Sequence, residues 1–349
     1  MTSGVARVTA GMELIVQVPD RIPRTLASAL DTALDALVVP GYSRIGVAAR
    51  RHWWPADPPP FGRRVDIVVT GASSGLGAAT ARGLAGLGAR VHMVGRSSER
   101  LASAAKRIRS AVPDADLVLR EADIADLAAA RGLADTVAAD VDALHALIHC
   151  AGIMPPQRTF TQDGNELAFA THILGPFLTT VQLRERLAAD GDGRVVFVSS
   201  GGMYSTSLSD DWDSGIGEYS GVRAYARTKR MQVTLAELLA AELHRPADPV
   251  VHSMHPGWAA TPGVSDSLPA FDRVARPILR SPDQGADTIV WLAAASLPAR
   301  STGRFWHDRR ARRTHYLPWQ QDDPEVRRRL WRTCVRRTGV SPAGADGSS

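Results

Sequence analysis

Six short runs of apolar residues recur along the chain, at 65–70, 90–94, 116–119, 144–149, 194–199 and 249–254. Runs of this length, bounded by turn-forming residues, predict buried strands. Longer alanine- and leucine-rich segments with helical character lie between them. Strand alternating with helix predicts a parallel sheet with helices on both faces. The expected fold class is therefore α/β, a Rossmann-type doubly wound sheet in a single domain with helical extensions at both ends. The expected boundaries are an N-terminal extension at 1–62, the sheet domain at 63–320, and a basic C-terminal helix and tail at 321–349. No internal repeat and no second full set of strands appears.

Helical periodicity extends to the two ends. Residues 26–39 place Leu26, Leu30, Ala33, Leu34, Leu37 and Val38 on one side, with Asp31 and Asp35 facing away and Pro40-Gly41 as the stop. A Pro- and Trp-rich connector follows from Arg50 to Phe61. Two readings stand here: packing on the sheet domain, or peripheral contact with a membrane surface. Packing is preferred, because acids on the polar side oppose anionic lipid. At the other end, Asp322-Asp-Pro324 predicts a helix start, with Val326, Leu330, Trp331 and Cys334 on one side up to Gly339. That helix docks on its own domain or on a second subunit of a homo-oligomer. The tail after Ser341 is small and polar, an expected disordered stretch. Residues 1–11 carry no pattern, so Met12 is an alternative start.

A chain of 349 residues has ample apolar sequence for one core. Two cysteines, Cys150 and Cys334, are too few for a disulfide framework and fit a reduced, cytoplasmic setting. The ten histidines are scattered without zinc spacing, and no metal is expected. No run reaches the roughly 18 apolar residues of a membrane span, and no signal peptide is apparent. The net charge of +5 is concentrated at the C-terminus, where 12 arginines from Arg300 onward face 5 acids. Arg309-Arg-Ala-Arg-Arg313 and Arg327-Arg-Arg329 read as a solvated basic tail. Nucleic acid is not an expected partner, since no recognised nucleic-acid fold or aromatic stacking pattern accompanies the charge.

The chemistry lies in two motifs. Tyr225-Ala-Arg-Thr-Lys229 contains one of only two lysines in the chain. A spacing of four puts both side chains on one helix face. An ammonium beside a phenol favours the phenolate, and a phenol so tuned exchanges protons with a carbonyl or an alcohol. The second motif, Gly71-Ala-Ser-Ser-Gly75-Leu-Gly77, stands between the 65–70 run and a helical segment, Ala78 to Leu87. Glycines there let the backbone approach a pyrophosphate at a helix N-terminus.

Together these residues resemble the short-chain dehydrogenase/reductase superfamily over roughly residues 63–307. Five blocks carry the likeness: Thr70-Gly-Ala-Ser-Ser-Gly-Leu-Gly77, Asp123-Ile124, His149-Cys-Ala-Gly152, Val198-Ser-Ser200 with Tyr225 and Lys229, and His255-Pro-Gly-Trp258 with Thr261. Within the superfamily the chain more closely resembles the subfamily of dehydrogenase/reductase member 12. That likeness rests on Ser199-Ser-Gly-Gly-Met203, Ser253-Met-His-Pro-Gly-Trp258, Thr261-Pro-Gly263, Gln284-Gly-Ala-Asp-Thr288 and Gly303-Arg-Phe305.

The resemblance implies an oxidoreductase that moves a hydride between a nicotinamide cofactor and an alcohol or carbonyl substrate. It implies Tyr225 as general acid/base, Lys229 as its partner and ribose ligand, and Ser200 as the holder of the substrate oxygen. It places the cofactor on Thr70, Gly71, Ser73, Ser74, Gly75, Leu76, Gly77, Asp123, Ile124, Cys150, Ala151, Gly152, Pro256, Gly257 and Thr261, as well as Tyr225 and Lys229. Asp123 would meet the adenine and Thr261 the carboxamide. Gly95-Arg96 follows the second strand where an acid would select the unphosphorylated cofactor. Arg96 instead suits a 2′-phosphate, so NADP(H) is expected over NAD(H).

Two departures stand out. The family asparagine, three residues before a glycine, is here His172 before Gly175, and Asn-Asn-Ala-Gly has become His149-Cys-Ala-Gly152. Histidine exchanges protons near neutral pH, so His172 is expected to sustain a proton relay behind the lysine. The alternative to an enzyme is a cofactor-binding protein with weak or no turnover, a sensor or scaffold. The long stretch between Ser200 and Tyr225 is rich in Ser, Asp and Gly and includes Trp212. It predicts a loop that shapes substrate entry.

Overall fold

The computed structural model describes residues 24–261, 263, 269–317 and 320–342. Expectations for Met12, for Pro262 and for the tail beyond Pro342 lie outside the described residues. The six apolar runs form strands β1 (Asp66–Thr70), β2 (Arg90–Gly95), β3 (Leu117–Glu121), β4 (Ala146–His149), β5 (Arg194–Val198) and β6 (Val250–Met254). Two more follow that periodicity did not predict, β7 (Arg304–His307) and β8 (Arg310–Arg312). The eight strands lie in one sheet in the order β3-β2-β1-β4-β5-β6-β7-β8. All pairs are parallel except β7 with β8. The order reverses between β1 and β4, where open α/β sheets bind ligands.

Thirteen α-helices are described: α1 (Arg24–Ala36), α2 (Val38–Tyr42), α3 (Arg44–Arg50), α4 (Gly75–Gly86), α5 (Ser98–Ala111), α6 (Leu127–Asp140), α7 (Leu167–Phe169), α8 (Gly175–Gln182), α9 (Arg184–Ala189), α10 (Gly221–Glu242), α11 (Pro269–Ala275), α12 (Pro282–Ala294) and α13 (Pro324–Thr338). Alternation along the strands splits the core in two. Val68, Leu147, Val195 and Phe197 join residues of α6, α8, α10 and α13 on one face. Ile67, Val69, Ile148 and Val196 join residues of α4, α5 and α12 on the other.

The C-terminal helix starts as expected, capped by Asp323 with Pro324 in its first turn, and stops at Gly339 in a left-handed conformation. It docks on its own domain. Val326, Leu330 and Cys334 are core residues, and Trp331 meets Phe177 edge-on at 5.3 Å.

The N-terminal helix departs from expectation. It breaks after Ala36, and Pro40-Gly41 lies inside α2 rather than ending α1. Its burial is also inverted. Leu26, Leu30 and Leu37 are 51%, 42% and 59% exposed, while Asp31 is 1% exposed. The cause is a set of distant arginines. Asp31 accepts from Arg50 Nε (2.8 Å), Arg310 Nη1 (2.8 Å) and Arg312 Nη1 (2.6 Å). Burial alone would raise the Asp31 pKa, but Arg312, Arg50 and Arg310 outweigh it and hold the group below the usual carboxylate value. The solvated basic tail is corrected in part by the same contacts, although Arg310, Arg328 and Arg329 do keep exposed side chains. The side chains of Arg309 and Arg312 are buried, and Arg309 pairs with Asp287 at 2.7 Å while lying over the Trp54 ring. The Pro/Trp connector therefore packs on the sheet domain, with Arg309 Nη1 donating to Pro55 O at 3.0 Å. Among the described residues, no helix is long and apolar enough to cross a membrane, and no cluster of His, Cys, Asp and Glu could hold a metal ion.

Candidate active site

The glycine loop leaves β1 and enters α4. Gly71 has φ +69°, and a Cβ there would lie 2.8 Å from the Ala151 Cα, so no other residue fits this turn. Thr70 fixes the facing segment. Its Oγ1 accepts from the amides of Cys150 and Ala151, both at 3.1 Å, and donates to Ile148 O at 3.3 Å. Ser74 precedes the first turn of α4 without capping it through its side chain. The first-turn N–H groups of α4 thus remain a site for a pyrophosphate. Ser73 and Leu76 lie in the same turn. The structure accordingly brings the whole loop, Thr70 to Gly77, beside Cys150-Ala-Gly152 at the point where strand order reverses.

Arg96 follows β2 and is 59% exposed, with its guanidinium 3.9 Å from the Asp123 carboxylate. Asp123 accepts from Ala125 N at 3.0 Å and so shapes the turn that carries Ile124. The Ile124 carbonyl abuts Gly175, where any side chain would collide with it. This contact is why a glycine stands three residues after His172.

Tyr225 and Lys229 lie one turn apart on α10, and Ser200 follows the end of β5. The Ser200 side chain lies near enough to the Tyr225 hydroxyl to favour its ionised form. Lys229 Nζ lies 5.3 Å from the Tyr225 ring centroid and donates to Val198 O and Gln232 Oε1, both at 2.9 Å. A Cβ on Gly152 would lie 3.5 Å from His172 Nε2 and 3.7 Å from Lys229 Nζ, so Cys150-Ala-Gly152 forms the floor between them. Pro256, Gly257 and Thr261 follow β6 on the adjoining loop. His255 Nδ1 accepts from Gly257 N at 3.3 Å.

The electrostatics differ from the simple expectation. Burial pushes the Tyr225 phenol up to about 12, offset in part by the nearby Ser200 side chain. Tyr225 is only half-buried by its accessible surface, so solvent screens some of that push. Burial also lowers the Lys229 ammonium to about 7. Lys229 therefore titrates near neutrality instead of standing as a permanent charge. Cys150 is pushed up to about 12 by burial and is an inert thiol.

His172 is corrected as a relay. It sits in a π-helical turn, Ala170–Leu174, fully buried. Ile153 N donates to its Nε2 at 3.0 Å. A backbone amide only donates, so Nε2 is unprotonated and the proton is on Nδ1. That Nδ1–H then donates to Thr228 Oγ1 at 2.7 Å, and Thr228 donates to Tyr225 O at 3.0 Å. Burial depresses the imidazole well below its ordinary value. With one nitrogen facing an amide, the ring cannot pass a proton through; it ties the 151–153 segment to α10. His149 is likewise structural. Its Nε2 pairs with Thr180 Oγ1 at 2.8 Å, and burial lowers it to about 3.

Gln232 was not legible as a site residue. It is fully buried, and its Nε2 donates to the His172 carbonyl at 3.1 Å while its Oε1 holds Lys229. The available signal was its position three residues after Lys229 on one helix face. Ser199 supports the same helix; its Oγ donates to Lys229 O at 2.7 Å and ties α10 to the end of β5. The segment after Ser200 is pinned rather than loose. Trp212 stacks on Phe169 at 6.0 Å, and Asp213 pairs with Arg337 at 2.8 Å.

Comparison with known proteins agrees with this geometry. A family model for short chain dehydrogenase matches residues 66–269. Dehydrogenase/reductase SDR family member 12 of Homo sapiens is 38% identical over 71% of this chain and 78% of its own. Polyprenol dehydrogenase of Mus musculus is 34% identical over 84% of this chain and 89% of its own. A solved structure of an uncharacterised protein from Mycobacterium Paratuberculosis superposes with a TM-score of 0.64 at 28% identity, covering 83% of this chain and 98% of that one. The chain belongs to the short-chain dehydrogenase/reductase family, NAD(P)-dependent enzymes acting on CH–OH and C=O groups.

Proposed function

We propose that this protein transfers a hydride between NADP(H) and an alcohol or carbonyl substrate, with Tyr225 as general acid and base. The observation that carries it is the meeting of Ser200, Tyr225 and Lys229 beside Gly152, below an open glycine loop. The cofactor, when bound, supplies or accepts the hydride and, in its oxidised form, a positive ring charge that favours the phenolate. In reduction, the Ser200 hydroxyl holds the substrate oxygen and the Tyr225 hydroxyl gives it a proton as the carbon gains hydride. In oxidation, the phenolate takes that proton back. Lys229, held by Val198 and Gln232, stands behind the phenol and near the expected ribose. Thr70 to Gly77 and Cys150 to Gly152 would hold the dinucleotide, with Asp123 and Ile124 at the adenine and Pro256, Gly257 and Thr261 at the nicotinamide. Exposed Arg96 favours the 2′-phosphate. A reduced, cytoplasmic setting belongs to the same reading, supported by two free cysteines.

Tyr225→Phe tests the assignment. The ring still packs but no proton is available, so turnover with any reactive carbonyl should fall by about 10²–10⁴ while cofactor affinity holds. Full activity in a folded Tyr225→Phe protein would refute it. A parent that binds cofactor yet consumes none across a carbonyl panel would favour the sensor or scaffold reading.

A further inference from the structure

The nicotinamide end of the site is walled by a residue from outside the matched family region. Tyr42 ends α2, well before residue 66 where the family match begins. Its ring is 3% exposed and lies against His255 at 4.5 Å, with Trp258 and His307 edge-on at 6.1 and 5.2 Å. The ring also touches the chain beside Ser200: a Cβ on Gly201 would lie 2.6 Å from Tyr42 Cε2. The Tyr42 carbonyl accepts from Trp258 N at 2.8 Å, and a Cβ on Gly257 would sit 2.6 Å from that same oxygen. One residue thus contacts both the segment that carries Ser200 and the loop expected at the carboxamide.

Tyr42 is itself held rigidly. Gly41 O accepts from Arg50 Nη1 at 2.7 Å and from Arg280 Nη2 at 2.9 Å, and Ser43 O accepts from Arg280 Nε at 3.3 Å. The same Arg280 guanidinium donates to Pro256 O at 3.1 Å. The Tyr42 hydroxyl lies 3.4 Å from that of Tyr316, and burial raises its phenol well above the usual value. It therefore stays protonated and takes no part in acid–base chemistry.

We propose that Tyr42 is a positioning residue of the active site, setting Gly201 and Gly257–Trp258 in register from the N-terminal extension. The proposal rests on the oxidoreductase reading above. Loosening Tyr42 shifts Ser200 and the nicotinamide loop, and leaves the glycine loop at the far end of the cofactor untouched. The adenosine half of the cofactor should not feel the change; the nicotinamide half and the substrate should.

Full-length Tyr42→Ala and Tyr42→Phe decide it. NADPH and NADH, and the half-molecules 2′,5′-ADP and AMP, are titrated against each variant, and kcat and KM are measured where turnover exists. Tyr42→Ala should weaken the dinucleotide that the parent binds by about tenfold, hold its adenosine half within about twofold, and lower kcat about 10- to 100-fold. Tyr42→Phe should restore all three to within about twofold, because the ring and backbone do the positioning. A folded Tyr42→Ala protein with parent-like dinucleotide affinity and kcat overturns the proposal, as does a Phe variant as defective as Ala. Should Tyr42→Ala fail to fold, Gly201→Ala presses on the same ring from the other side. It should lower dinucleotide affinity and kcat alike, and parent-like values overturn the proposal. A parent that binds a dinucleotide but turns nothing over removes the reaction, and the titrations still decide Tyr42.

Discussion

The loops Gly71–Gly77 and His255–Trp258 each follow the end of a strand, and in the function proposed above each offers backbone to the cofactor, yet they are held in opposite ways. The first is supported by its neighbours in the sheet. Thr70 clamps Cys150 and Ala151, Gly71 closes against Ala151, and apolar residues of β1, β2 and β4 lie beneath. The second is supported by buried charge brought from far along the chain. Arg280 donates to Pro256 O and pairs with Asp308 at 2.6 Å, and Asp308 also accepts from Arg50 at 2.6 Å. His255 and His307 stack at 3.8 Å, and burial keeps both well below the ordinary imidazole value. A loop held by local backbone and apolar contacts needs few partners. One held by ion pairs fails when a single member is lost, because the remaining charges are buried without compensation.

The largest test of that contrast is Asp308→Asn. Asp308 has φ +51°, a conformation that asparagine tolerates, so the backbone is kept while the charge is lost. Arg280, essentially fully buried, is then left without a carboxylate partner, and the equally buried Arg50 keeps only its pairing with Asp31 and the more distant Asp35. We expect a loss of about 3–5 kcal/mol in unfolding free energy by denaturant titration. A change within about 0.5 kcal/mol would show that the cluster does not support this end.

At the glycine-loop end, Arg96→Asp should leave stability unchanged, since Arg96 is exposed. Binding should move instead. Loss of a charge-assisted contact of about 1.5–3 kcal/mol should turn a preference for NADPH into one for NADH by fluorescence titration. Equal parent affinities for both cofactors would remove Arg96 as the phosphate partner.

Between the two ends, Lys229 gives the smallest effect. Burial lowers it to about 7 from an ordinary value of 10.5. Between those values the unfolded chain binds the proton and the folded chain does not, so stability rises with pH. From pH 7 to 9 the gain is on the order of 1–2 kcal/mol. Cys150 and Cys334, both raised by burial, oppose the trend only above about pH 9. Lys229→Met should flatten the rise, which denaturant midpoints measured at pH 7, 8 and 9 would show. An identical slope in both proteins would mean that Lys229 keeps its proton in the fold.

The same contrast explains what could be read from the chain alone. The inner strands β1, β2, β4, β5 and β6 carry apolar runs such as Ile67–Val69 and Val195–Phe197, because both faces of the sheet are covered there. The glycine loop and the Tyr225–Lys229 pair are local motifs and read directly. Strands β7 and β8 are short and rich in arginine, and Arg310-Ala-Arg312 reads as solvated charge until Asp31 is placed against it. The α1 face was inverted for the same reason. Periodicity assumes that leucine seeks the core, and it cannot see that Asp31 has partners some 280 residues away. Tyr42 carries no motif, since its role consists wholly of long-range contacts.

The distance along the chain between Arg50 and Asp308 has a further consequence during synthesis. These two partners are 258 residues apart. At about 5–20 residues per second, Arg50, whose partner Asp31 precedes it in the chain, is made on the order of 10–50 s before Asp308, the carboxylate it shares with Arg280. Strands β1 to β6 and the glycine loop are all made within that interval. The nascent protein therefore acquires the parts of its dinucleotide cradle first, and the nicotinamide end closes only when β7 and the turn after it have been made. On the proposed reading, an unfinished chain would hold Ser200, Tyr225 and Lys229 before the ion pairs that fix the 256–258 loop, so that loop is set in the last stage of assembly.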